Sequence, residues 1–248
     1  SDSHTSLASV EEGNFHGKYA NDASPETKHK PTVPTSVGWD ASAQGLSAVW
    51  AEQNTRDGIT AAFKRREVYA TSGPRIALRV FGGTGFKSYD AKRANLAKIG
   101  YQKGVPMGGE ITGHAKAKPM QLLIHAAKDP MSQNLERLQV VKGWLDAQGK
   151  SHEKIYDALR AKTGKQEVRL AAAGTNHEGG ASQLATVWTD PDFNPTQNAF
   201  YYVRVLELPS PRHTLLDAIA LEKDPSITNH TSVLRERAFS SPIWYNSQ

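Results

Sequence analysis

Apolar and polar positions alternate along most of this chain in short runs separated by glycine, proline and asparagine. Leu46 to Trp50 is mostly apolar and predicts a short buried strand. A helix follows, because Asn54 or Thr55 offers an N-cap, Asp57 suits a helix N-terminus, and Ile59, Ala62, Phe63 and Arg66 recur at helical spacing. Lys64, Arg65 and Arg66 then fall at its C-terminal end, where the helix dipole and solvent account for them without an anionic partner. Thr71-Ser72-Gly73-Pro74-Arg75 forms a turn-rich hinge, and Ile76 to Phe81 alternates as a strand before Gly82-Gly83. A domain boundary is placed near Gly73.

Beyond it the pattern predicts a series of short strands. They cover Glu110 to Thr112, Met120 to Ala127, Leu135 to Leu145, His152 to Leu159, Glu167 to Ala173, Gln183 to Trp188 and Ala199 to Leu208. Asp146 to Lys150 has the composition of a hairpin turn. Leu135, Leu138, Val141, Trp144 and Leu145 also fit helical spacing, which leaves two helices as the alternative for Leu135 to Leu159. Gly143 inside the run and Gly149 at its end favour strands. Repeated strands with such turns argue for an antiparallel sandwich. Gly13 to Ala43, with Pro25, Pro31 and Pro34 and little periodicity, is expected to be an ordered surface loop.

Bulk properties narrow the function classes. With 248 residues, 38% of them hydrophobic, the chain is long enough to bury a real core. Its apolar runs fall short of the roughly 18 residues a membrane helix requires. The net charge of +5 is spread among acids instead of forming a basic block, which argues against a nucleic-acid surface. There is no cysteine, so any metal would be held by His, Asp and Glu.

The compact constellation of that type is Asp2-Ser3-His4. Residues two apart on an extended segment face the same way, so a carboxylate and an imidazole can converge on one cation. A catalytic zinc centre usually takes three protein ligands, so the pair needs partners from elsewhere. A chain that opens on a candidate ligand is therefore expected to have lost sequence upstream of Ser1. His16 and Lys18 follow closely enough to overhang such a site, although plain solvated loop residues are the favoured reading. Thr189 to Pro195 carries oxygen ligands without the spacing of an EF-hand loop, and its prolines favour a turn. Asn229-His230-Thr231 is too short a glycosylation pattern to inform. His114, His125, His177 and His213 show no mutual ligand spacing. No Gly-x-Ser-x-Gly elbow or P-loop is present.

Several stretches together resemble the DUF3604 family of bacterial proteins. They include Asp2-Ser3-His4-Thr5, Val10 to Lys18, Ala48 to Arg56, Lys64 to Arg75, Val141 to Trp144, Trp188 to Phe193, Ala199 to Val205 and Ser241 to Tyr245. That family looks related to the PHP metallohydrolases, in which histidines and acids at the strand ends of a distorted (β/α) barrel hold two or three divalent metals that activate water, mostly against phosphoesters. The resemblance implies a mixed α/β and mainly β chain: the C-terminal remnant of a PHP-like (β/α) barrel over residues 1–72, followed by an antiparallel β-sandwich over residues 73–248. It implies Asp2 and His4 as metal ligands for zinc, manganese or iron. His16, Lys18 and Arg75 become candidates for binding an anionic small-molecule ester, and the expected partner is the missing N-terminal barrel portion. His16 stands where the family more usually has an apolar aromatic. The alternative function is a non-catalytic β-sandwich module for packing, oligomerisation or partner binding.

Overall fold

Local chemistry decides where the elements begin. Thr55 caps its helix, its hydroxyl accepting from the Gly58 amide at 3.1 Å, and this satisfies one of the donors that a helix N-terminus leaves open. The computed structural model of the chain describes residues 4, 12–19, 24–33, 36–113, 118–169 and 174–247. Four α-helices occur among the described residues: α1 (Pro25–Lys28), α2 (Arg56–Lys64), α3 (Leu96–Lys103) and α4 (His213–Ala220). The strands are β1 (Pro31–Val33), β2 (Ser36–Val37), β3 (Leu46–Val49), β4 (Val68–Thr71), β5 (Ala77–Gly83), β6 (Gly104–Pro106), β7 (Glu110–Thr112), β8 (Gln121–Ala127) and β9 (Leu135–Leu145). They continue with β10 (Ser151–Arg160), β11 (Thr163–Arg169), β12 (Gly174–Gly179), β13 (Gln183–Thr189), β14 (Ala199–Glu207), β15 (Ser210–Pro211), β16 (Val233–Leu234), β17 (Arg237–Ser240) and β18 (Ile243–Asn246).

Two sheets carry the molecule. An eight-stranded sheet runs β10-β9-β14-β17-β4-β3, with β18 also paired to β14 and β7 to β18; a four-stranded sheet runs β13-β8-β5-β6. Only the β7–β18 pairing is parallel among the described pairings. The two sheets share one core, to which β14 gives Tyr201, Val203 and Val205, β8 gives Leu122 and Ile124, and β5 gives Leu78 and Val80. Strict alternation on β14 sends Phe200, Tyr202 and Arg204 to the opposite face. The mainly β, antiparallel expectation holds in this form, and none of the described sheets closes into a barrel.

The Thr71–Arg75 hinge is where the chain passes from β4 in the larger sheet to β5 in the smaller one. Strands from both sides of Gly73 therefore share a sheet, because β4 pairs with β17. Leu135 to Leu145 and His152 to Leu159 are strands, not helices. They are joined by the Asp146–Lys150 turn, in which Gly149 adopts φ +77°, a conformation glycine reaches without strain. The Asp190–Pro195 segment is the turn its prolines suggested, lying between β13 and β14.

Three expectations need correction. Residues 13–43 are not a plain surface loop: they hold short elements and bury Phe15, Lys28 and Trp39. Leu46–Val49 is half-buried, near a sheet edge, not fully buried. The later chain is interrupted by α3 and α4. Helix α3 fits against the outer face of the smaller sheet because Gly100 has no side chain; a Cβ there would lie 2.3 Å from the Phe81 ring. Of the Glu167 to Ala173 strand, residues 167–169 lie in β11 and residues 170–173 lie outside the described residues.

One ion pair is fully enclosed where the sheets meet the β13–β14 turn. Lys142 Nζ donates to Asp190 Oδ2 at 2.6 Å and to the Asp192 carbonyl at 2.8 Å, and the Tyr201 hydroxyl donates to the same Asp190 oxygen at 2.7 Å. Asp190→Ala is expected to lower stability by about 3–5 kcal/mol, since it strands a buried ammonium. Urea unfolding checks this, and a loss below about 1 kcal/mol would contradict it.

Candidate functional site

His4 is exposed, and its backbone amide donates to the Lys18 carbonyl at 2.8 Å. Its ring lies 5.2 Å from the Tyr19 ring, over which Lys18 Nζ sits at 5.6 Å. Gly17, at φ +74°, makes the bend that brings Lys18 back beneath His4. The structure thus unites two of the expected site residues, His4 and Lys18, at one edge. His16, half-buried, precedes them on the same segment. Asp2 lies outside the described residues. Arg75 is exposed elsewhere, on the hinge, where its backbone amide donates to Asp129 Oδ2 at 2.7 Å.

This edge is fixed from below by a buried polar cluster on α4. Lys28 Nζ donates to the Phe15 carbonyl at 3.0 Å and pairs with Asp217 Oδ1 at 2.9 Å. Trp39 Nε1 donates to the other Asp217 oxygen at 2.9 Å. Glu12 Oε2 accepts the His213 backbone amide at 2.7 Å, so a carboxylate from the start of the chain faces the positive end of α4. Helix α4 has no acid of its own in its first turn. The His213 ring packs 4.5 Å from the Phe15 ring, and its Nε2 lies 2.9 Å from the Ala41 carbonyl. A carbonyl only accepts, so Nε2 donates to it. Nδ1 is buried, 3.7 Å from Asp217 Oδ2. Arg212 completes the clamp, donating to the Trp39 and Ala41 carbonyls at 3.1 and 2.8 Å.

A family model described as a protein of unknown function, DUF3604, matches residues 1–247. The chain belongs to the DUF3604 family. No curated protein matches it. Two ties connect this edge to the clamp: α4 holds Glu12 and Phe15, and the Lys18 carbonyl holds the His4 amide. Sequence reasoning missed Glu12, Lys28, Trp39, Arg212 and Asp217, and set His213 aside. The available signal was His213 four residues before Asp217, one face of a helix; their partners lie far away in the chain.

Among the described residues no three His, Asp or Glu side chains converge in a way that would hold a metal ion. His4 is of the right type and accessible, yet the described residues by themselves do not complete a divalent-cation site. A second titratable cluster sits by the hinge. Glu12, Pro74, Asp129, Ser132, Ser210 and Glu236 line a cavity of ≈ 290 Å³. Burial, reinforced by Glu12, pushes the Glu236 carboxyl up to about 7 despite the Ser72 hydroxyl bonded to it. Burial likewise pushes Glu207 up to about 7, against the hydroxyl of Ser132 at 2.5 Å and with Glu236 adding to the rise. These carboxyls change charge near neutrality, and at acid pH their burial carries no charge.

The Asp217 carboxyl is opposed by burial, but His213, Lys28 and Trp39 together hold it below the usual aspartate range. Its contribution is therefore present above about pH 4 and is lost as pH falls through the lower folded value. Asp217→Ala is expected to cost about 3–5 kcal/mol at pH 7 and to remove hydrogen-exchange protection from the His4 amide. Retained protection would show that α4 does not hold this edge. Glu236→Gln should do the opposite. A carboxyl raised from 4.5 to about 7 stabilises below its unfolded value and loses that contribution as pH rises through 7. The amide variant should then be more stable than wild type by roughly 2–3 kcal/mol at pH 8, with the difference vanishing near pH 4. Thermal unfolding across that range checks the sign.

Proposed function

We propose that the chain is the C-terminal part of a metal-dependent hydrolase acting on small-molecule esters, phosphoesters foremost. Family membership supports the reading through the relation to PHP metallohydrolases that the motifs imply. The observation that carries it is the His4–Lys18 edge: an accessible imidazole held by its own backbone beside an ammonium, on a segment anchored at Glu12, Phe15 and Lys28. In this reading Asp2 and His4 are two ligands of a divalent ion, zinc, manganese or iron, and the remaining ligands come from the barrel portion. Bound metal would supply the activated water. The chain's own tasks are to hold the imidazole in place and to set Lys18 where an anionic ester group would dock, with His16 behind it and Arg75 a more distant candidate. Of residues 1–72, the part that would continue the barrel is then the segment before β3, since β3 and β4 already pair into the larger sheet of the sandwich.

The test uses the complete polypeptide with an aryl phosphate. His4→Ala or Asp2→Ala should abolish metal-dependent turnover while the unfolding temperature stays at the wild-type value, and full activity in either variant rejects the assignment. Lys18→Ala should raise KM about tenfold, roughly 1.4 kcal/mol, with a smaller effect on kcat. The second reading, a non-catalytic β-sandwich module for packing, oligomerisation or partner binding, is favoured by the exposed aromatic face around Trp244, which is 39% exposed. Stoichiometric metal in the purified complete protein separates the two readings.

A further inference from the structure

A row of directly opposed residues crosses five strands of the larger sheet: Glu153 on β10, Gly143 on β9, Phe200 on β14, Trp244 on β18 and Glu110 on β7. Opposed residues share a face, so these side chains stand together on the side away from the core. The bare position at Gly143 organises the row. A Cβ there would lie 2.3 Å from Phe200 Cζ, so the phenyl ring lies down against the glycine backbone instead of standing off the sheet. Trp244 leans on it, with ring centroids 5.3 Å apart at 54°. The result is an aromatic floor in a cavity of ≈ 620 Å³, within the range of ligand-binding pockets.

The rim of this cavity is polar and only partly spent, with His152 on it tied to Asp146. Ser151, Glu153, Asn198 and Asn246 line it. Among the described residues, the Ser151 hydroxyl and the Glu153 carboxylate have no hydrogen bond. The Asn198 carbonyl oxygen is taken by Ser247 and the Asn246 amide nitrogen by Glu110. That leaves the Asn198 amide as a donor and the Asn246 carbonyl oxygen as an acceptor. No Lys or Arg lines the cavity, so an anion gains nothing there.

An open apolar floor of two inclined rings, edged by separate donors and acceptors, matches a particular chemistry. A pyranose ring has a face of C–H groups that lies on an aromatic surface and a rim of hydroxyls that both donate and accept. A quaternary ammonium is better held by aromatic faces closing from several sides, and a hydrophobic helix leaves a polar rim unpaired. We infer that the Phe200–Trp244 floor is a carbohydrate-binding site, taking neutral oligosaccharides of a few sugar units, with Glu153, Asn198 and Asn246 bonding the hydroxyls. This site is independent of the hydrolase reading: it uses none of Asp2, His4 or Lys18.

The experiment titrates the full chain with neutral cello-, xylo-, manno- and malto-oligosaccharides, following tryptophan fluorescence and heat. At least one series should bind saturably with Kd in about the micromolar to millimolar range. Trp244→Ala should weaken that binding at least about tenfold with an unchanged unfolding temperature, and Glu153→Gln several-fold. Gly143→Ala, which displaces the Phe200 ring without touching the rim, should weaken it as well. Absence of saturable binding to every series overturns the inference. So does binding that survives Trp244→Ala unchanged, or occupation of the floor by tetramethylammonium or by a second copy of the chain in place of sugar.

Discussion

The enclosed Lys142–Asp190 pair is the constraint on which the arrangement of the sandwich depends. Asp190 is the first residue after β13, and its own amide is tied to the Met120 carbonyl just before β8 at 2.9 Å. Its carboxylate is saturated by Lys142 from β9, Tyr201 from β14 and the Asp192 amide. One side chain therefore fixes strands of both sheets relative to the turn between β13 and β14. Such a pair adds little net stability over an apolar replacement, because two charges had to leave water. Its effect is on register: a slip of β9 by one residue would turn Lys142 outward and leave the buried Asp190 without its counter-ion. Burial and the Asp190 charge also drive the Tyr201 hydroxyl far above its ordinary value, so it remains a donor at all ordinary pH.

That register has consequences on the other face. The pairing that sends Tyr201 inward to Asp190 sends Phe200 outward, opposite Gly143 on one side and Trp244 on the other. Trp144 follows Gly143 on β9 and stacks on His152, with ring planes 15° apart. His152 in turn bonds Asp146 at 2.7 Å, which closes the β9–β10 hairpin. The glycine that argued for a strand in the sequence thus has a second role. It is the low point on which an aromatic ring rests, a use of glycine that depends on the neighbouring strand.

Much of the fold was legible because its signals are local. The Thr55 cap, the period-two pattern of Ala199 to Glu207 and the Gly149 turn each lie within a few residues of what they determine. The hinge at Thr71 to Arg75 was legible as punctuation, and its meaning as a passage between sheets needed the β4–β17 pairing. The missed parts are held by distant partners. Helix α4 lacks a side-chain N-cap of its own, and the carboxylate that stands in for it is 201 positions away in sequence. Residues 13–43 have no periodicity because short pieces of them fill places around Asp217: Lys28 for its charge, Trp39 for its indole donor and Phe15 for the His213 ring. Helix α3 carries a glycine where a propensity argument sees a weak point, and close packing on Phe81 requires it.

The candidate metal edge inherits its rigidity from that distant clamp. His4 is bound by its backbone to Lys18, and Lys18 lies three residues from Phe15, whose carbonyl is fixed by Lys28 and whose ring rests on His213. Side chains on loops are held to catalytic precision only when buried groups over-determine the backbone beneath them. Here the buried groups are an ion pair, an indole donor and a carboxylate at a helix terminus, each with a charge-assisted bond. These bonds respond to pH in a defined direction: acid that protonates Asp217 releases Lys28 and Trp39 together, and with them the support under the segment that carries His4. Glu236 and Glu207 at the hinge are neutral well before that pH is reached. The strap and the hinge therefore titrate with opposite signs. Both contributions are close to full only in a narrow window at about pH 4, above the ordinary aspartate value and below the ordinary glutamate value; the hinge loses its share as pH rises from there through 7, and the strap as pH falls through the depressed Asp217 value.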